Sequence, residues 1–340
     1  MKAFVITEKD KYGMQDIEVP EIGPDEVLMK MLASGICHSD YDLISGQYII
    51  PFTYPVTPGH EFAAQVVKTG ENVKNVKIGD RVVGECNIGC GVCPVCQIKA
   101  GFCPDANHFG FTQDGADAEY FKANGDWLHV LPENIDNMTG AMVETFSIAY
   151  KGIYEAGGVD AADVAVVYGG GSVGNCAVAA LHAMGALVIL VEPLDYKREI
   201  GRKMGADLVI DPTSQDVAAE VRKHSRGLGA DLVVECSGNA GAMAQTLEVA
   251  RNAGRVVFIG INFREDIPVA LGKFQVKGIT AIGSNGSPGV WERCIQFLSR
   301  TKLDLRPLMT HTFPLTEAVE AFEFTREPKN RAIKVILTNE

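Results

Sequence analysis

The sequence predicts an α/β chain: a mostly-β part followed by a doubly wound parallel sheet. Three observations carry that prediction. Short β-branched runs broken by Gly and Pro fill the first 150 residues, apolar runs alternate with segments of helical length from about residue 163, and a glycine-rich turn follows the first of those later runs. β-branched runs between turn residues form strands. Short runs that are apolar throughout, and that alternate with helices, are strands buried on both faces of a parallel sheet.

A chain of 340 residues is long enough for two domains with substantial cores. Hydrophobic residues make up 46% and charged residues 22%, which excludes intrinsic disorder, a collagen-like chain and a small disulfide scaffold. Lys plus Arg total 31 against 43 Asp plus Glu, a formal charge of −12. Nucleic acid and anionic membranes would be repelled over most of such a surface, so neither is an expected partner. No apolar run approaches the length of a spanning helix, and the opening MKAFVITEKD looks like a strand, not a signal peptide. A cytoplasmic placement is the expectation.

In chain order, strands are expected at residues 3–6, 26–32, 62–68 and 81–83, with Gly79-Asp80 a turn between the last two. The parallel strands follow at 164–168, 187–191, 208–210, 232–234 and 256–259. Helices near 289–299 and 316–325 and a closing strand at 332–337 complete the chain, which has no internal repeat.

Gly169, Gly171 and Gly174 form G-x-G-x-x-G between the strand at 164–168 and a helical segment. The first glycine permits the tight turn, the second admits a pyrophosphate to the backbone, and the third lets helix and strand pack closely. The helix N-terminus then offers free N–H groups and partial positive charge to the phosphates. The second strand ends at Glu192, 23 residues after Gly169, where an acid can accept both ribose hydroxyls. A glycine-rich turn without a ligand needs no acid there. Glu192 would repel a 2′-phosphate, favouring NAD over NADP, with Lys197 and Arg198 just beyond as the opposing feature.

Cys90, Cys93, Cys96 and Cys103 crowd a loop rich in Gly and Pro, with Cys86 nearby. Four thiolates at short spacing suit a closed, tetrahedral structural zinc site, in a loop with little apolar material to hold its shape. In a reducing compartment this arrangement favours metal over disulfides. A third, dispersed set comprises Cys37, His60, Glu61 and Glu144. Sulfur, nitrogen and oxygen donors suit a zinc that keeps one place for substrate, yet spacing alone does not bring these segments together. His108, His129, His182, His224 and His311 have no partner at ligand spacing.

Gly35-Ile36-Cys37-x-Ser39-Asp40, Gly59-His60-Glu61, the four-cysteine lobe and the glycine fingerprint occur together in this order. The chain thereby resembles the zinc-dependent medium-chain dehydrogenases over essentially its whole length. The resemblance implies a GroES-like catalytic domain formed by residues 1–149 and 285–340, a Rossmann NAD-binding domain at 150–284, and an active site in the cleft between them. It implies a catalytic zinc on Cys37 and His60, with Glu61 and Glu144 as carboxylates that bind directly or exchange with water. Ser39 would pass the alcohol proton outward and Asp40 would orient His60. Val173, Lys197, Gly260 and Ile261 join Gly169, Gly171, Gly174 and Glu192 as expected cofactor contacts, and His38 could reach a cofactor phosphate. A carboxylate at Glu144, where the primary-alcohol branch has cysteine, is similar to the sorbitol, galactitol-phosphate and threonine dehydrogenases. Asp42, Ala64, Thr145 and the six-residue gap before Cys103 depart from the usual pattern without removing a ligand.

The expected reaction is reversible oxidation of a secondary alcohol on a small polyhydroxylated substrate, with NAD as hydride acceptor and two zinc ions per chain. Eligible substrates are a polyol, a sugar alcohol or its phosphate, a sugar acid or a cyclitol. An amino alcohol such as threonine is the second reading. A zinc-free NADPH quinone or enone reductase, or a non-catalytic structural protein, is the reading from a different class. Tyr48, Phe52, Phe111 and Trp291 are candidate pocket residues. A homodimer or homotetramer is expected, meeting at exposed sheet edges near residues 256–261 and 279–282.

Overall fold

The first strand, β1 (Lys2–Glu8), is turned back on β2 (Lys11–Asp16) through Asp10, which takes a positive φ of 59°. The computed structural model describes residues 1–99 and 102–339. Strand β3 (Glu26–Gly35) alternates half-buried with buried residues, Val27, Met29, Met31 and Ala33 facing inward. That period of two marks a strand with one face on the core. Helix α1 (His38–Ile44) follows, then β4 (Glu61–Thr69), β5 (Arg81–Gly84), β6 (Asn87–Ile88) and α2 (Pro94–Lys99). Strands β7 (Asn107–His108), β8 (Tyr120–Asn124) and β9 (Leu128–Val130) and helices α3 (Asn137–Ala141) and α4 (Val143–Glu155) complete this stretch.

The later stretch is strand and helix in turn. Strands β10 (Val164–Tyr168), β11 (Leu187–Val191), β12 (Leu208–Ile210), β13 (Ala230–Glu235), β14 (Ala250–Phe258) and β15 (Thr280–Gly283) make one sheet in the order β12-β11-β10-β13-β14-β15, every pairing parallel. All five residues of β10 are buried, as a strand covered on both faces requires. The order reverses between β10 and β13, and helix α5 (Ser172–Ala183) starts just beyond β10, where such sheets hold their ligands. Residues 256–258 lie in β14, which has a neighbour on each side. The expectation of an exposed edge there is therefore corrected: β15 is the edge on that side.

The chain returns as α6 (Trp291–Thr301), β16 (Met309–Pro314), α7 (Ala318–Arg326) and β17 (Lys334–Thr338). Strand β17 pairs with β3, Ile336 opposite Gly35, and extends the first sheet to the order β16-β17-β3-β4-β5-β9, with β8 also on β3. One compact unit comprises Met1–Glu144, Gly286–Lys302 and Met309–Glu340; the other comprises Thr145–Asn285 and Leu303–Leu308. Phe4, Met29, Phe62, Phe109, Phe121 and Phe322 anchor the core of the first, and Val166, Ile189, Val233 and Val256 that of the second. No helix among the described residues is long and apolar enough to cross a membrane.

Candidate metal centres and dinucleotide loop

Three neighbouring strand ends assemble the first site. Gly35 ends β3 opposite Glu61 at the start of β4, and β17 runs alongside β3. His60 immediately precedes β4, and Cys37 caps the N-terminus of α1. Ligand atoms of Cys37, His60 and Glu61 thus lie within 4.8 Å of one another, although 24 residues separate Cys37 from Glu61. Asp40 is fixed in the first turn of α1, where one carboxylate oxygen accepts the Cys37 N–H at 2.8 Å. Its other oxygen faces His60 Nδ1 at 3.6 Å, too long for a hydrogen bond. Both of those atoms are buried without a partner. With Nδ1 turned toward Asp40, Nε2 is the nitrogen left for a metal.

The charges around this trio point the same way. Asp40, Glu61, Asp117 and Glu144 are all buried, and Lys334 is the ammonium set against them. Burial pushes the Glu144 carboxyl up to about 7, with His60 opposing and Glu61 adding to the shift. Burial pushes Asp117 up to about 7 as well, Asp40 adding to it, and one Asp117 oxygen has no partner while the other accepts the Ser34 hydroxyl at 2.6 Å. Buried carboxylates in such excess, beside a cysteine sulfur, call for a cation, and the mixed S, N and O donors suit zinc. Glu144, in the first turn of α4, stands outside the 4.8 Å trio. The Ser39 hydroxyl is buried without a partner, free to meet a ligand hydroxyl.

Lys334 is the residue that motif reading misses. Its ammonium donates to Glu61 Oε2 at 2.5 Å and to the Ile36 carbonyl at 3.1 Å, and both partners of the ion pair are buried. Burial alone would lower its pKa, but Glu61 and Cys37 raise it above the ordinary lysine range. Removing one partner from a buried pair of this kind costs about 3–5 kcal/mol.

Among the expected pocket residues, Phe111 packs on His60 with ring centroids 5.0 Å apart, and Tyr48 stacks on Phe111 at 4.6 Å. Phe52 packs against Tyr54 instead, and Trp291 is buried in a stack with His129. His38 is exposed. Cys86 does not join the four-cysteine loop. It is buried in the core, its thiol pushed up to about 12 by burial and eased by the neighbouring His60.

In the cysteine loop, β6 pairs with β7 at the base and α2 spans the tip. Ligand atoms of Cys90, Cys93, Cys96 and Cys103 lie within 4.8 Å of one another, the Cys90–Cys96 sulfurs 4.0 Å apart and the Cys93–Cys103 sulfurs 3.8 Å apart. Sulfurs at about 2.3 Å from a tetrahedral zinc stand about 3.8 Å from each other. None of the four is in a disulfide. N–H groups of Val92 and Cys93 draw the Cys90 thiol down to about 7, toward the thiolate that binds metal. Residues 100 and 101, within the six-residue gap before Cys103, lie outside the described residues.

The glycine loop has the geometry its fingerprint requires. Gly169 sits at φ 96°, in the left-handed region, and a Cβ on Gly174 would stand 1.8 Å from the Gly169 carbonyl oxygen. A Cβ on Gly171 would meet nothing within 4 Å, so this glycine leaves open space at the N-cap of α5. Glu192 accepts the Gly170 N–H at 2.7 Å and the Leu194 N–H at 2.9 Å, one on each oxygen, which leaves a lone pair on each for a ribose hydroxyl. Arg198 is held by the Glu192 and Pro193 carbonyls and by Asp195 and Asp211. Val173 is half-buried in the first turn of α5 beside the loop, and Lys197 is half-buried in the helix after Glu192. Gly260 packs against the 235–238 turn, donating to the Glu235 carbonyl, while Ile261 is exposed. Ser237 and Gly238 in that turn, bonded to Glu235, were not marked by any motif.

Residues 23–133 match the family model described as alcohol dehydrogenase GroES-like domain, and residues 172–300 that described as zinc-binding dehydrogenase. The chain is 37% identical to L-threonine 3-dehydrogenase of Caldanaerobacter subterraneus subsp. tengcongensis over 94% of its own length and 93% of the relative's. It is 31% identical to sorbitol dehydrogenase of Halalkalibacterium halodurans over 99% of each. Its fold superimposes on that of a Sinorhizobium meliloti protein bound to NADP with a TM-score of 0.93 at 29% identity, covering 99% of this chain and 98% of that one.

Proposed function

The chain belongs to the zinc-binding, GroES-like alcohol dehydrogenases, and from that membership we propose that it oxidises a secondary alcohol flanked by further polar groups, reversibly, with NAD as acceptor. The observation that carries this reading is the convergence of Cys37, His60 and Glu61, with the buried, partnerless Ser39 hydroxyl two residues from Cys37 in the chain. Cys37, His60 and a carboxylate, Glu61 or Glu144, hold the catalytic zinc, and Cys90, Cys93, Cys96 and Cys103 hold a structural one. When bound, the metal supplies Lewis acidity at the substrate oxygen and the nicotinamide accepts the hydride. The residues do the rest. Ser39 accepts the alcohol proton and passes it outward, Asp40 orients His60, and Phe111 with Tyr48 covers one side of the imidazole. The glycine loop and Glu192 bind the dinucleotide, with Val173, Lys197, Gly260 and Ile261 as its further contacts.

A polyol, sugar alcohol, its phosphate, or a cyclitol is the proposed substrate class, because a second hydroxyl could reach the carboxylates around the metal. The 37% identity to a threonine dehydrogenase favours an amino alcohol as the second reading. A screen of polyols, sugar acids, cyclitols and amino alcohols with NAD and NADP, followed by nicotinamide absorbance, separates them. Turnover of a vicinal diol supports the first reading. Turnover of threonine alone replaces it, and turnover of quinones alone, by a protein without zinc, removes both.

We also propose a homo-oligomer that meets along β15. The exposure of this edge strand and of Ile261, Phe263, Leu271 and Val276 near it in sequence supports that assembly. Sedimentation at micromolar concentration should show a dimer or tetramer, and a monomer would contradict it.

A further inference from the structure

Two side chains grip the middle of the glycine loop from opposite ends of Gly170. Glu192 accepts the Gly170 N–H at 2.7 Å. Asn175, in the first turn of α5, donates from Nδ2 to the Gly170 carbonyl at 2.7 Å and to the Gly171 carbonyl at 3.3 Å. The Gly171 carbonyl also accepts the Asn175 N–H at 2.9 Å, as the N-cap of a helix does. The Gly170 carbonyl lies one residue before that cap and takes its hydrogen bond from the amide side chain.

Asn175 is fully buried, and its Oδ1 has no partner. An apolar side chain of the same size would fill this place without the cost of an unpaired acceptor. Packing therefore does not account for an amide here, whereas its effect on the loop does. In a trans peptide the C=O and N–H point to opposite sides. With the Gly170 carbonyl drawn in to Asn175, the Gly171 N–H is turned away from the buried start of α5. Gly171 borders open space, since a Cβ on it would meet nothing within 4 Å.

We propose that Asn175 is a positioning residue for a pyrophosphate. It holds the Gly170 and Gly171 carbonyls inside, so that the loop offers N–H groups to the phosphates and keeps those two oxygens from them. This rests on the reading of the glycine loop and Glu192 as the dinucleotide site. Without the amide, the Gly170 carbonyl loses its buried donor, and the peptide turns that oxygen out toward the anion.

The test uses NAD, ADP and adenosine, each competing with NADH for the full chain and read by NADH fluorescence. NAD and ADP carry the pyrophosphate and adenosine does not. Asn175→Leu should weaken NAD and ADP at least about tenfold, the scale of a hydrogen bond to a charged group, and adenosine less than about twofold. A substitution that only loosens the second unit would weaken all three alike.

Equal weakening of the three ligands, or unchanged affinity for NAD and ADP, would overturn the proposal. If Asn175→Leu does not fold, Asn175→Asp takes its place, because it keeps the shape and sets carboxylate oxygens against both carbonyls. The same pattern then supports the proposal, and the same contrary results overturn it. A natural chain that does not bind NADH, or that binds ADP no more tightly than adenosine, overturns the dinucleotide reading itself, and this inference with it.

Discussion

Glu192 is held by the Gly170 and Leu194 N–H groups beside the glycine loop, and in the proposed dinucleotide site its charge would face a ribose 2′ group. The nearby guanidinium of Arg198 is engaged by Asp195 and Asp211, so it is not offered to a 2′-phosphate. Glu192→Ala should therefore narrow the preference for NAD over NADP by about tenfold, worth about 1.4 kcal/mol, read from the two kcat/KM values. A natural chain that prefers NADP would contradict this. Asp117 gives the second prediction at this scale. Its carboxyl is raised by burial from the ordinary value to about 7, so the folded state favours the proton more than the unfolded chain does. The stability it contributes is full below about pH 4 and is lost as pH rises to about 7, by at most about 4 kcal/mol. Asp117→Asn should flatten that fall in thermal midpoints of metal-depleted protein, and an unchanged slope would contradict it. Cys37 and His60 were legible because short local motifs carry them. Lys334 and Asp117 were not, because their partners lie 273 and 83 residues away and only the sheet brings them together.

At the scale of elements, the parallel strands β10, β11 and β12 fall on the residues their apolar runs predict. Strands buried on both faces leave an unbroken apolar signature. Strands β2, β8 and β16 were not foreseen, since half-buried antiparallel or edge strands carry mixed residues and borrow stability from neighbours. The exposed edge expected near residue 256 failed because periodicity gives no strand order. The cysteine loop was legible by spacing, and its sulfur separations match a tetrahedral metal. Its α2 tip has six residues, Val92 and Ile98 stand exposed, and little core holds the loop. Cys93→Ser should lower zinc content by about one ion per chain and lower the thermal midpoint, because metal binding there is coupled to folding. An unchanged metal count would remove the structural-zinc assignment.

For the whole molecule, the proposed activity sets two separate requirements on one chain: a metal site among residues of the first unit and a dinucleotide site among residues of the second. The residues proposed for each fall within a single unit, so they can be broken independently. The most direct test is His60→Ala, followed by metal analysis, NAD binding and alcohol oxidation in the same preparation. The expected result is loss of one zinc per chain and of nearly all turnover, with NAD binding retained because the glycine loop is untouched. Substantial alcohol oxidation by the His60→Ala protein, once its catalytic zinc is gone, would contradict the account.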